Sequence, residues 1–490
     1  MKLNQFIWNN YKESKEGQEV IKLFEEGNFE EIMKRFIDEK NKSLENYNQI
    51  INAFSNSKNK FENNETAENI FNYFITNGLV LEDENGYFNV IDPNELNYLL
   101  NVIEPYSFYL SDLIPDFFFP YFFQLEFSKL QKICDNFNIN IPSVPLRKNK
   151  LERLNYYLEL CEIFHEFRES NELNPFEFWA FLYDFAPKYF GKEEIENLPT
   201  PTNIWLCGAA KDDYPDLVKS NSETTYFWGG NEDTKKGDII VMYCLSPRSN
   251  IDFICRAVND GVRDPFFHYY GSITLGKIQQ VQPIHISQIK TDEHLKNLPI
   301  VKKNLQGVNG TQINNEDYKR ILKLLEEKGQ DISILPKLSS IDFKPNINCK
   351  NERDVELQIV EPFLLNLNFA KNDWIRQLPV RMGRGERNYP DYVFFPETTK
   401  GYEKGKMLLE TKFIIKNNRD LEETFQQAHS YALRLEANKI VICDKDYIWI
   451  YIKINESFDR TKYLKFNWQE INNPDIFNKI KKLIAKESLK

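Results

Sequence analysis

The sequence predicts a multidomain α plus α/β protein. It has a helical N-terminal region (1–197), a central small barrel of short strands (202–330) and a mixed α/β unit (349–490). Three observations carry this. Apolar residues recur at three- and four-residue spacing up to about residue 190, the period of an amphipathic helix. Leu198-Pro-Thr-Pro-Thr202 then breaks the pattern, and short β-rich runs separated by Gly-containing turns follow. A second Pro-containing stretch, 335–348, precedes a segment in which helix and strand patterns mix. The length of 490 residues fits about two to four domains, and such a chain buries several cores without staples.

In the first region the helical period is clearest in Val20, Leu23, Phe24, Ile32 and Phe36, and again in Leu154, Tyr157, Leu158, Cys161 and Phe164. Residues 71–90, with a turn at Asp83-Glu-Asn-Gly86, fit a small winged-helix unit. Asn174-Pro175 marks a helix start, with an N-cap residue followed by Pro at the first helical position. The dense Phe and Tyr of 106–123 and 176–190 are expected to fill a core. In the second region strands are expected at 204–207, 224–228, 238–244, 253–258 and 273–281, closed by a helix over 315–328. The third opens with a periodic helix over 354–367. It continues with strands at 391–395, 407–413, 439–443 and 448–452 and a helix over 421–435.

No apolar run approaches the ~18 residues of a membrane span, and the N-terminal stretch has no apolar core long enough for a signal peptide. Seven scattered cysteines without a Cys-x-x-Cys pair fit reduced thiols, and a cytoplasmic location is expected. The five histidines show no metal-ligand spacing, although His429 lies on the 421–435 helix and is expected near its functional face. The net charge of −11 argues against a polyanionic partner. Its distribution does not. Residues 1–100 carry 10 Lys+Arg against 18 Asp+Glu, whereas 371–420 carry 11 against 7. Arg376, Arg381, Arg384 and Arg387, then Lys412, Lys416 and Arg419, form two local basic clusters of the kind that track phosphates.

Between those clusters lie Tyr389-Pro-Asp391-Tyr-Val-Phe-Phe395 and Met407-Leu-Leu-Glu410-Thr-Lys412-Phe. Asp391 opens one strand; nineteen residues later Glu410 stands on another, two positions before Lys412. Side chains at i and i+2 share a strand face, so Glu410 and Lys412 point to one site. The apolar flanks mark a buried strand, where charges need a reason. Asp391 and Glu410 can share a hard divalent cation, Mg²⁺ or Mn²⁺, through carboxylate oxygens. Lys412 would then orient a water or neutralise charge developing on a phosphate.

This arrangement resembles the PD-(D/E)xK nuclease superfamily, on Pro390-Asp391 and Glu410-Thr-Lys412. The segment Glu352-Arg-Asp-Val-Glu356-Leu-Gln-Ile-Val-Glu-Pro resembles the opening helix of the nuclease domain in type I restriction motor subunits. There an acidic residue near the helix start completes the metal site; Glu352 matches it best and Glu356 is the rival. Gln427-Ala-His-Ser-Tyr431 resembles the Gln-x-x-x-Tyr helix of that group, which implies a place for Gln427 near the metal or the nucleophilic water. The resemblance spans about residues 350–455 and implies the catalytic set Asp391, Glu410, Lys412, Glu352 and Gln427. Of these, Asp391, Glu410 and Glu352 would be the metal ligands. No Walker-type loop accompanies it.

In the central region Trp205, Trp228 and Tyr243 could wall an aromatic pocket that sandwiches a flipped base. Gly237-Asp238 precedes the strand that ends in Tyr243, and Gly229-Gly230 would let a ligand approach backbone beside Trp228. The pattern resembles the EVE branch of the PUA-like fold over about 202–328. The resemblance implies recognition of modified bases, with Trp205, Trp228, Tyr243 and Asp238 as pocket residues. Asn221, Ser222 and the aromatic run 266–270 are further pocket or rim candidates. Together the two resemblances imply a modification-dependent DNA endonuclease of the restriction or phage-defence kind, working as a homodimer. An RNA nuclease and a non-catalytic reader are the competing readings.

Overall fold

The computed structural model describes residues 3–36, 80–82, 88–90, 99–189, 197–345, 348–381, 387–454 and 457–489. The chain is a mixture of helix and sheet, with a helical N-terminal region and two larger sheets behind it.

Helices α1 (Gln5–Glu13), α2 (Lys15–Glu25) and α3 (Phe29–Phe36) open the chain, the first two capped by Asn4 and Ser14 side chains. A two-stranded antiparallel pair, β1 (Val80–Glu82) and β2 (Phe88–Val90), follows. The rest of the winged-helix segment expected at 71–90 lies outside the described residues. Then come α4 (Ile103–Leu113), α5 (Phe127–Asn136), α6 (Lys150–Ser170) and α7 (Pro175–Ala180). Asn174 and Glu177 form a reciprocal capping box at the start of α7. The core is aromatic, with Phe119, Tyr121, Phe123, Tyr157, Phe164 and Phe181 all buried.

The central region comprises β3 (Ile204–Ala209), α8 (Tyr214–Lys219), β4 (Tyr226–Gly229), β5 (Ile239–Cys244), β6 (Asn250–Ala257), β7 (Val262–Arg263) and β8 (Gly271–His285). It ends with α9 (Ile286–Thr291), α10 (Pro299–Lys302), β9 (Asn309–Ile313) and α11 (Asn315–Glu326). The strands make one curled half-barrel sheet, ordered β4-β8-β6-β5-β3-β9 with β7 on β8; only β3 and β5 pair in parallel. Period-two alternation divides its side chains between two cores. Ile204, Leu206, Ile239, Val241 and Tyr243 face α11, while Trp205, Cys207, Ile240 and Met242 lie on the other side.

The segment 264–270 ties this sheet to the helical region. Phe266 is wholly buried in the helical core, 4.7 Å from the Tyr121 ring. Arg153 donates to the carbonyls of Pro265 and Phe267, and Tyr270 donates to that of Pro145. The aromatic run 266–270 is therefore divided. Phe266 and Tyr270 belong to the junction, and Tyr269 is exposed.

The C-terminal region begins with α12 (Glu352–Val355) and α13 (Glu361–Asn366), joined by a π turn at Glu356–Val360. Pro362 cannot donate the i−4 hydrogen bond, and the wide turn ahead of it accommodates that loss. Next are β10 (Trp374–Arg376), β11 (Val380–Arg381), β12 (Arg387–Asn388), β13 (Tyr392–Phe394) and β14 (Met407–Thr411). The chain closes with α14 (Asn418–Arg434), β15 (Lys439–Cys443), β16 (Tyr447–Ile452), β17 (Leu464–Asn467) and α15 (Pro474–Ile484). The six-stranded sheet runs β10-β13-β14-β15-β16-β17, antiparallel except for β14 and β15, which α14 connects in parallel. One face packs on α12, α13 and α15, and the other on α14. α15 also touches the central region: Asp475 accepts from the Asn315 amide, and Lys481 donates to Thr200 Oγ1. All seven cysteines are buried and free. Among the described residues, no helix is long and apolar enough to cross a membrane.

Candidate carboxylate site at the end of the second sheet

Register builds the site. Tyr392 pairs with Leu409 and Val393 with Leu408; one step further sets Asp391 opposite Glu410, on one sheet face. Leu408 packs under α14, so Glu410 and Lys412, at the same parity, turn toward that helix. From α14, Gln427 Nε2 reaches Glu410 Oε1 at 2.8 Å and lies 3.2 Å from the Tyr431 hydroxyl. Lys412 Nζ stands 3.5 Å from Glu410 Oε1. Asp391 Oδ2 accepts the Thr411 amide at 2.8 Å, which fixes its carboxylate across the strand pair.

The electrostatics are those of acids short of positive charge. Glu410 is 1% exposed and Asp391 9%. Burial first, then the charge of Asp391, pushes Glu410 above the carboxylate range, and Lys412 offsets only part of it. Burial likewise raises Asp391, against the Thr411 amide and Lys412. Glu410 Oε2 is buried with no hydrogen-bond partner among the described residues. An orphaned carboxylate oxygen beside a second carboxylate fits a hard cation.

Two acids come from the opposite layer. Glu352, at the start of α12, is raised by burial, lowered by Lys412 and raised by Asp391, which places it in their field. Glu356 is buried and held by Arg353 Nη1 at 2.5 Å and by Arg376 Nη2. Burial and the charge of Asp391 push it up to about 7. With its carboxylate engaged by two guanidiniums, Glu356 is the less available ligand. Among the described residues, no group of three His, Cys, Asp or Glu side chains converges closely enough to hold a metal ion. The geometry thus brings Asp391, Glu410, Lys412 and Gln427 together, with Glu352 at the rim.

Some expected members are used elsewhere. His429 stacks on Phe425 at 5.4 Å and meets Phe458 edge-on, so it belongs to the packing of α14. Arg376 is bound to Glu356 and lies over the Tyr392 ring. Arg384 lies outside the described residues. Sequence reasoning missed the Arg353–Glu356–Arg376 network. The i,i+3 spacing of Arg353 and Glu356 was visible, but the arrival of Arg376 depends on the β10–β13 pairing.

The central aromatics do not form the expected pocket. Trp205 is buried in one core and Tyr243 in the other, on opposite faces of the sheet. The reason is register: Trp205 pairs with Ile240 and Gly208 with Tyr243, an odd number of positions apart along β3. Asp238 is also not a reading group. Its carboxylate accepts from the Thr202, Asn203 and Lys235 amides, Thr202 Oγ1, Asn203 Nδ2 and Trp205 Nε1, all at 2.8–3.1 Å, which leaves no lone pair for a ligand. Gly237, at φ +90° with Pro199 O 2.4 Å from where a Cβ would stand, serves the same turn. Asn221 and Ser222 are exposed; the Asn221 side chain accepts from Glu223 N and Thr224 Oγ1. Trp228 packs against the same core as Trp205. It is half-buried, its Nε1 donates to Gly208 O, and the next residue, Gly229, has Asn309 and Phe267 3.0–3.4 Å from where a Cβ would stand.

No family model matches the chain, and neither does any curated protein. Among solved structures it is similar to Rpa0253 from Rhodopseudomonas palustris at 14% identity, over 26% of this chain and 94% of that one, with a TM-score of 0.22. A hypothetical protein from Leishmania major is similar at 14% identity, over 26% and 97%, with a TM-score of 0.23. ASCH from Zymomonas mobilis is similar at 13% identity, over 25% and 96%, with a TM-score of 0.20. Each likeness is confined to about a quarter of this chain.

Proposed function

We propose that the protein is a divalent-metal-dependent DNA endonuclease of the PD-(D/E)xK type. In this reading it acts on DNA carrying a modified base that the central, EVE/PUA-like region reads. One observation carries the nuclease half: Asp391, Glu410, Lys412 and Gln427 share one sheet end, around a buried carboxylate oxygen with no partner among the described residues.

Asp391 and Glu410 would hold Mg²⁺, with Glu352 contributing from the rim. A bound Mg²⁺ supplies polarisation of the scissile phosphate and a water of lowered pKa. The protein's own groups do the rest. Gln427 and the Thr411 amide hold the two carboxylates in place, so little reorganisation is needed. Lys412, partly exposed beside Glu410, donates hydrogen bonds to the attacking water or a phosphate oxygen and offsets the negative charge that grows there. Tyr431 supports Gln427 from the next helical turn. The base-reading half rests on Trp228, the half-buried ring among Trp205, Trp228 and Tyr243, with stacking worth about 1–3 kcal/mol per base. A double-strand cut by one such centre per chain calls for two copies.

The test is Mg²⁺-dependent cleavage of matched modified and unmodified duplexes, with RNA as a third substrate. Lys412→Ala should abolish cutting and leave binding intact. Cutting that survives this change would remove the nuclease assignment, and equal cutting of plain and modified DNA would remove the reader.

A further inference from the structure

The β11–β12 strand pair ahead of Asp391 has a feature that the carboxylate site does not use. β11 and β12 form a two-stranded antiparallel ribbon in which Arg381 and Arg387 are direct register partners. Like charges facing each other across a ribbon are unfavourable. Among the described residues, neither guanidinium has an acidic partner, and both residues are exposed. In this respect they differ from Arg376, which is committed to Glu356, and from Arg419, which pairs with Glu423.

The ribbon is also firmly seated. Val380, of opposite parity to Arg381, is fully buried with Leu378, Val393 and Leu435. Arg434 of α14 donates its Nε to the Arg381 carbonyl at 3.1 Å. Its base is therefore fastened both to β13, which follows Asp391, and to α14, which carries Gln427. Arg387 precedes Asp391 by four residues, so their Cα atoms lie within about 14 Å, roughly four base-pair steps of a duplex.

We propose that the β11–β12 ribbon is a duplex-DNA contact, in which Arg381 and Arg387 take backbone phosphates and seat the strand to be cut beside Asp391. An anion between the two guanidiniums relieves their repulsion. This inference rests on the nuclease reading, and the test keeps the two apart.

Full-length Lys412→Ala protein, with and without Arg381→Gln and Arg387→Gln together, is titrated in EDTA against a fluorescent plain duplex at several salt concentrations. Two lost phosphate contacts should reduce the slope of log K against log salt by about 2, close to 0.9 for each. Arg460→Gln, which removes an exposed arginine paired with Glu422, should leave the slope unchanged. Both substitutions are at exposed positions, and matching thermal melts would confirm that the fold is kept. An unchanged slope, or no salt-dependent duplex binding at all, would each overturn the ribbon proposal. A reduced slope from a protein that never cuts DNA would leave the ribbon standing and remove the nuclease reading. Cutting by wild type with an unchanged slope would do the reverse.

Discussion

Asp238 in the central sheet and Glu410 in the second sheet are almost equally buried, at 0% and 1% exposure. Their surroundings are opposites. Asp238 accepts hydrogen bonds from backbone and side-chain donors on both oxygens. Glu410 has Gln427 and a more distant Lys412 on one oxygen, no partner on the other, and the charge of Asp391 nearby. A buried carboxylate saturated by donors holds a fold together; one left short of donors beside another carboxylate is arranged for something that arrives. Burial alone does not separate the two cases, but the partner count does.

The largest effect that can break this comparison is catalytic. Glu410→Gln or Asp391→Asn should lower Mg²⁺-dependent cleavage by about 10³-fold or more, on the order of 4 kcal/mol. The same changes should leave the metal-free melting temperature unchanged or higher, because they remove repulsion between buried acids. Asp238→Ala should do the opposite. It strands several buried donors and should cost about 3 kcal/mol of stability, measured by denaturant unfolding. If Glu410→Gln instead unfolds the protein and Asp238→Ala is silent, the roles are reversed.

The unequal legibility of the two regions in the sequence has the same physical root. Glu410 and Lys412 were readable because parity along one strand is local, needing only the identification of β14. Asp391 required the pairing of two strands close in sequence, which the nineteen-residue spacing suggested. The choice between Glu352 and Glu356 was not readable, since it turns on Arg376 arriving from β10, twenty residues beyond Glu356. The aromatic pocket failed for a related reason. Trp205 and Tyr243 lie on strands 30 residues apart in numbering range, and only the parallel β3–β5 register reveals that they face opposite cores. Asp238 looked like a reading group because its partners, Thr202, Asn203 and Trp205, are distant in sequence and close in space.

A smaller effect sharpens the contrast within the central sheet itself. Trp228→Ala should reduce preference for modified over plain DNA by about 1–3 kcal/mol, the worth of one stacking contact, read as a ratio of dissociation constants. Trp205→Phe removes the indole bond to Asp238 and part of a buried ring, and should cost about 2 kcal/mol of stability, with that ratio unchanged. A shift in selectivity from Trp205→Phe, and none from Trp228→Ala, would move the reading surface from β4 to β3.

The smallest expected effect is a pH slope. Both carboxyls of the second sheet titrate above their unfolded values, with burial as the leading cause. In the pH window between those values the folded state binds more protons than the unfolded one, so stability falls as pH rises. In EDTA the protein should therefore lose unfolding free energy as pH rises from the ordinary carboxylate range to about 8. Glu410→Gln should flatten that slope. Added Mg²⁺ should flatten it too, because a cation favours the ionised pair and its binding releases protons. A slope that Mg²⁺ leaves untouched would mean that the two carboxylates do not receive the ion, whatever the fate of the cleavage assay.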